Sequence, residues 1–297
     1  MSIDRADRRL ATAAPGHLYD DVSRASAAAV IRGYSTSFGW ACRLLREPVR
    51  TRVRTIYALV RLADEIVDGP VGAADPRHAG RLLADLEEET YETLRSGYST
   101  NLLVHAFAGT ARECGIGRDL VAPFFSSMAT DLTATTHSAD SLSTYVFGSA
   151  EVVGLMCLRA FLADEADPAT AYAALAPGAR RLGAAFQKVN FLRDLAADHD
   201  ELGRTYFPGL ELERFGDAER DALLDDIDAD LAAAAAAIAH LPASSRAAVR
   251  AAHGLFAALS RRLRATPAAR IRRARVRVPG PVKARIVAVA ALSGGRA

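Results

Sequence analysis

Two stretches of this chain place aspartates along helices that are otherwise apolar. The first is Tyr57-Ala-Leu-Val-Arg61-Leu-Ala-Asp64-Glu65-Ile-Val-Asp68, the second Gln187-Lys-Val-Asn190-Phe-Leu-Arg193-Asp194-Leu-Ala-Ala-Asp198. In each, two aspartates stand four residues apart and so share one helix face. The polar positions step by three or four (57, 61, 64, 68 and 187, 190, 194, 198), while most others are Ala, Leu, Ile, Val or Phe. A helix that is apolar nearly all round is buried, and an unpaired buried carboxylate is costly. The two stripes are therefore expected to face one internal cavity and to give it two metal-binding walls.

The 297 residues suffice for a large core, and with half of them hydrophobic and 24% charged the chain is globular rather than disordered. Cys42, Cys114 and Cys157 are widely spaced and form neither a CxxC nor a disulfide framework, a usage that fits a reducing cytosol. The first residues mix Arg5, Arg8 and Arg9 with Asp4 and Asp7 and lack an apolar core, so no signal peptide is expected. No transmembrane helix is expected either: the alanine-rich run 231–241 is too short to span a bilayer. The net charge of +2 conceals an asymmetry, with +11 from Arg261 onward and −9 before it. The basic end reads first as partly paired with the acidic body, and second as contacting a membrane surface. Nucleic acid is not an expected partner, because aromatic interleaving and recognised binding motifs are missing.

Helix patterning dominates. Residues 1–20 read as a flexible lead-in, 21–292 as one all-α domain and 293–297 as a tail. Pro48 is expected in the first turn of a helix that runs to Asp68 and ends at Gly69-Pro70. Helical patterns follow at 76–96, 100–114, 118–131 and 139–163, and Asp167-Pro168 opens the next. Others cover 217–241, 243–265 and 281–292.

Carboxylates four apart on an exposed helix are ordinarily a solvated face. Here the flanks are apolar, the pattern recurs, and each stripe adds other polar residues, Tyr57 and Arg61 in one and Gln187 and Asn190 in the other. Oxygen donors without His or Cys favour a hard cation such as Mg²⁺, which is commonly held by one or two carboxylates together with substrate phosphates. A diphosphate is the natural guest, with Arg61, Lys188, Arg193 and Arg204 close to the motifs in sequence. A diiron bundle would need Glu-x-x-His pairs, which the chain lacks.

Both motifs resemble the paired aspartate-rich signatures of the squalene/phytoene synthases, the head-to-head prenyl synthases. Tyr34-Ser35-Thr36-Ser37-Phe38 resembles that family's serine-rich diphosphate loop. Tyr145-Val-Phe-Gly148-Ser-Ala150-Glu151-Val-Val153-Gly154 resembles its central helix, and Gly203-Arg204-Thr205-Tyr206-Phe207-Pro208 the loop after its second motif. The order holds from about residue 24 to 290, and the chain is most like bacterial phytoene synthases.

The resemblance implies an all-α isoprenoid-synthase-type helical bundle with a central cavity. It implies Mg²⁺ (Mn²⁺ as a substitute) and two prenyl diphosphates, geranylgeranyl diphosphate first among them. These would be joined through a cyclopropyl diphosphate to phytoene, the first committed step of carotenoid synthesis, by proton loss and without NADPH. Asp64, Asp68, Asn190, Asp194 and Asp198 would serve the metal. Ser35, Ser37, Arg61, Gln187, Asn190, Arg193, Arg204 and Tyr206 would bind substrate. Tyr57 and Tyr145 would act with Arg61 at the reacting end, their rings steadying cations. The alternatives are a squalene or dehydrosqualene synthase using farnesyl diphosphate, or a non-catalytic scaffold of the same fold. The expected location is the cytoplasm, with peripheral contact to the inner face of the cell membrane as an added reading.

Overall fold

The structure, a computed structural model, describes residues 15–35 and 37–294; among them the fold is all-α, without a β-strand. In chain order the helices are α1 (Pro15–Tyr34), α2 (Ser37–Cys42), α3 (Val49–Asp68), α4 (Pro70–Ala74), α5 (Pro76–Ser96), α6 (Leu102–Cys114) and α7 (Arg118–Asp131). There follow α8 (Ala139–Val146), α9 (Val152–Leu162), α10 (Pro168–Leu202), α11 (Asp217–Ile238), α12 (Arg246–Arg264), α13 (Ala268–Ile271) and α14 (Gly280–Gly294). A π-helical turn, Phe147–Glu151, joins α8 to α9.

The ends have local causes. The Asp167 side chain accepts from Thr170 N at 3.1 Å and Pro168 fills the first turn of α10. Gly97, Gly115 and Gly203 close α5, α6 and α10 with positive φ. Pro48 is the N-cap of α3 rather than part of its first turn. Helix α1 begins inside the stretch expected as a lead-in. Its Tyr19 hydroxyl donates to Ser99 O at 2.8 Å, and Asp20 Oδ1 lies 2.7 Å from His105 Nε2 on α6.

Two apolar clusters flank the centre. One draws on α3, α6, α7 and α9, with Phe107, Phe124 and Phe125 fully buried; the other joins α10, α11 and α12 through Leu192, Leu224 and Leu263. Helix α9 packs on both α3 and α10, and α10 on α11. This brings the helices of the two acidic stripes to opposite sides of one space. At the base of α3 the buried Arg52 ties three helices together, bonding Asp164 at 2.6 and 2.9 Å and also Glu113.

The stretch Ala139–Leu162 is one helical run long and apolar enough to cross a membrane, and half of it is buried within the fold. The 139–163 pattern does not betray its π turn. There Gly148 lies so close to α7 that an added Cβ would sit 2.1 Å from Ser127 Oγ and 2.2 Å from Pro123 O. The Ser127 hydroxyl donates to Tyr145 O at 3.1 Å across the same contact. Gly148→Ala is expected to cost about 1–3 kcal/mol by forcing these backbones apart. A chemical denaturation midpoint equal to that of the parent would refute the close packing.

Candidate active site

Between α3, α9, α10, α11 and α12 lies a cavity of about 810 Å³. Its deep walls are apolar, with Phe161, Leu175, Ile238 and Leu241 among them. Small residues on α9, α10, α11 and α12, including Gly154, Gly178, Gly183, Ala237 and Ala252, give it room. Its polar part gathers Ser35, Tyr57, Arg61, Gln187, Asn190 and Arg193 from the residues singled out in the sequence. The Ser37 side chain and all of Thr36 lie outside the described residues.

The N-terminal half of each stripe therefore faces the cavity, whereas the four aspartates lie one and two turns beyond it, outside its lining. The two-walled expectation is corrected to this extent. α3 and α10 each turn a neutral or cationic half to the chamber, and the acidic halves come together next to it. Asp68 and Asp198 are close enough that Asp68 raises the pKa of Asp198. Burial first, then Asp68, pushes Asp64 up to about 7; burial first, then Asp194, does the same to Asp198. Among the described residues neither carboxylate has a cationic partner at ion-pair distance. The other two aspartates are held by arginine. Asp68 accepts from Arg204 Nη1 at 2.8 Å. Asp194 is gripped by its neighbour Arg193 and by Arg275, whose Nε lies 2.7 Å from Oδ1. Glu65 pairs with Arg61 at 2.5 Å, and the Arg61 guanidinium lies 4.3 Å over the Tyr34 ring.

Arg204 is buried and joins the loop after the second stripe to the end of the first. Besides Asp68 it bonds Asp131 O at 2.8 Å and approaches Tyr206 OH at 3.4 Å. Tyr145 donates its hydroxyl to Asp131 Oδ2 at 2.7 Å. Burial raises Asp131 to about 7 although Tyr145 and Arg204 work against it. Tyr206 stacks on Phe191 at 3.9 Å and on Tyr145 at 5.6 Å. The structure thus places Tyr145 and Tyr206 behind the site, outside the cavity lining, where they brace Arg204 and Asp131. Tyr57 does line the cavity, stacked on Phe38 at 5.7 Å.

Lys188, close to the second motif in sequence, points away. It pairs with Asp226 at 2.5 Å and Asp230 at 2.9 Å on α11. Glu151 is likewise turned from the chamber, at 2.6 Å from Arg180. Sequence reasoning missed Asp131 and Arg275. Asp131 had a signal, being the one charged residue of α7 after Asp119. Arg275 had none, since it sits among ten arginines between 261 and the end.

The residues fit a hard cation in two respects. All the candidate donors are oxygens, and Asn190 Oδ1, at the neck of the cavity, is buried without a hydrogen-bond partner. Among the described residues no three His, Cys, Asp or Glu side chains converge closely enough to hold an ion alone. A metal there would need ligands from a second component.

A family model for squalene/phytoene synthases matches residues 31–281. The chain belongs to the squalene/phytoene synthase family. Among relatives, Phytoene synthase 3, chloroplastic, of Zea mays is 31% identical over 65% of this chain and 44% of its own length. The match thus spans less than half of that relative. A 4,4'-diapophytoene synthase of Staphylococcus haemolyticus is 26% identical over 66% of this chain and 68% of its own. The phytoene synthase of Mycobacterium tuberculosis is 27% identical over 89% of each. Among solved structures, a dehydrosqualene synthase superposes with a TM-score of 0.76 at 17% identity, covering 94% of this chain and 99% of that one. The squalene synthase HpnC from Alicyclobacillus acidocaldarius gives 0.64 at 19% identity, over 93% and 96%. The squalene/phytoene synthase fold expected from the sequence is therefore the fold observed, an isoprenoid-synthase-type helical bundle around a central cavity.

Proposed function

We propose that this chain joins two prenyl diphosphates head to head, with geranylgeranyl diphosphate as substrate and phytoene as product. The observation that carries this reading is an apolar chamber of about 810 Å³ with a polar neck, beside which two aspartate pairs come together at Asp68 and Asp198. Phytoene synthases matched over most of both chains support it. A second reading, farnesyl diphosphate and a C30 product, is favoured by the diapophytoene synthase relative and the dehydrosqualene synthase fold.

Asp64, Asp68, Asp194 and Asp198 would hold Mg²⁺ together with diphosphate oxygens and water, and Asn190 Oδ1 is the further donor at the neck. When bound, Mg²⁺ supplies positive charge against the diphosphate that leaves as the allylic cation forms. The chain's own residues do the rest. Arg61 and Arg193 at the neck and Arg275 beside them offer guanidinium donors to the departing diphosphate. Ser35 and Gln187 orient it, and the Tyr57 ring faces the carbons that become positive. The apolar walls keep water from the cation.

The test is a product assay. Protein with Mg²⁺ receives geranylgeranyl or farnesyl diphosphate, with and without NADPH, and hydrocarbons are identified by mass. A C40 hydrocarbon without NADPH is expected; C30 alone would replace the first reading with the second, and no hydrocarbon from either would overturn both. Cys157 and Cys42 both line the chamber and lie close enough for one thiol to raise the pKa of the other. Cys157→Phe should therefore narrow it there and lower the C40:C30 product ratio roughly tenfold or more. An unchanged ratio would show that chain length is set elsewhere.

A further inference from the structure

We infer that the outer face of α14, together with the basic end of α12, docks on an anionic lipid surface. Helix α14 runs antiparallel to α12: Ile286 lies opposite Gly254 and Ala290 packs with Ala251. Its inner side forms part of the chamber wall, since Lys283 and the preceding Val278 line the cavity beside Leu255, Phe256 and Leu259. Its outer side carries Val282, Arg285, Val289 and Leu292 in one stripe at helical spacing. Val282 is 38% exposed, Val289 56% and Leu292 76%. Aliphatic side chains this open, aligned on one helix, form an apolar face that suits a lipid interface.

The charges around this face choose the occupant. No acidic residue occurs from Arg261 onward. Three arginines of the segment are spent on the body: Arg264 on Asp225 and Asp228, Arg272 on Leu212 O and Glu213 O, and Arg275 on Asp194. Arg261, Arg262, Arg270, Arg273, Arg277 and Arg285 are exposed, and among the described residues none has a carboxylate at ion-pair distance. The antiparallel packing sets Arg261 and Arg262 level with the start of α14. A cationic patch beside an apolar stripe matches anionic headgroups over acyl chains, and a neutral surface would leave the arginines without partners. The inference deepens the prenyl-lipid reading, on which it partly rests, because substrates of that class reside in such a surface and the wall of the chamber would touch it.

The test uses the full chain. Phosphatidylcholine vesicles, alone or with an equal part of phosphatidylglycerol, are pelleted with protein at low and high salt. The parent is expected to pellet with the anionic vesicles at low salt and to be released at high salt. Val289→Glu/Leu292→Glu and Arg261→Glu/Arg262→Glu should each weaken retention about tenfold. Circular dichroism checks that both variants stay helical. Equal retention on neutral vesicles, no retention at low salt, or variants that pellet like the parent would overturn the inference. So would a vesicle-free dimer that the Val289→Glu/Leu292→Glu protein fails to form. Turnover of detergent-dispersed substrate should be unchanged in both variants. A parent that pellets with anionic vesicles but makes no hydrocarbon would support docking while removing the proposed reaction.

Discussion

Asp198→Asn should lower turnover about 10³-fold and at the same time raise the melting temperature of the metal-free protein at pH 8. Asp198 is pushed from 3.8 up to about 7 by burial and by Asp194, with Asp68 adding to it. The sign follows from proton binding. A carboxyl whose folded pKa lies above its unfolded one contributes stability fully below the unfolded value, near pH 4, and loses it as the pH rises through 7. At pH 8 the folded protein therefore carries a charge it resists, and Asn removes that charge at constant shape. At pH 4 and below the two proteins should melt nearly together, with part of the difference already present at pH 5. Asp64→Asn should behave in the same way, since Asp64 is also raised to about 7. Mg²⁺ should raise the parent's melting temperature more at pH 8 than at pH 5, and the variants much less. Stability lost for function is the expected pattern at a site built to receive positive charge. A variant that melts lower at pH 8 while still turning over would contradict both halves of the argument. Full activity in both variants would show that neither carboxylate is needed to hold the metal.

The second large effect is on stability. Arg204→Met should cost about 3 kcal/mol, because it strips a buried cation from Asp131 and Asp68 and leaves Asp131 O without its donor. In a chain of 297 residues that corresponds to a fall in melting temperature of roughly 5 °C. Asp131→Asn in the same chain should recover part of the loss, since the unneutralised carboxylate is the main penalty. Asp131→Asn alone should be mild, as Tyr145 can still donate to the amide oxygen. Turnover of Arg204→Met should drop as well, because Arg204 ties the loop after the second stripe to Asp68. A change of less than 2 °C, measured against a parent melted alongside, would mean that water already screens Arg204.

Much of this was legible in the residues. The helical period marks α3 and α10, and the residues that reach the chamber, Tyr57, Arg61, Gln187 and Asn190, sit on the stripes that the spacing identifies. Spacing along one helix does not say how far along it a second element ends, so it could not show that the chamber stops short of the aspartates. Nor could it show that arginines from distant segments occupy two of them. Arg204 reaches Asp68 across 136 residues and Arg275 reaches Asp194 across 81. The direction of Lys188 was hidden for a related reason. Its neighbour Gln187 faces the chamber, and a step of one residue turns a side chain about 100° around a helix. The π turn left no trace because its composition is that of the flanking helix.

The small residues lining the chamber give it a direction of change. Gly154, Gly178 and Gly183 have nothing left to remove, and Ala179, Ala234, Ala237, Ala248 and Ala252 little more. At Gly154 and Gly183 an added Cβ would come within 3 Å of backbone carbonyl oxygens of the facing helix, so even one carbon is resisted. At the alanines of the wall, single substitutions can only fill the space. On the proposed reading, a lineage starting from this chain would therefore reach shorter products in one mutational step. The return requires larger residues such as Phe161 and Phe186 to shrink while the core around them holds. Descent toward short chains is easy here, and ascent is a ratchet that must be released against the packing.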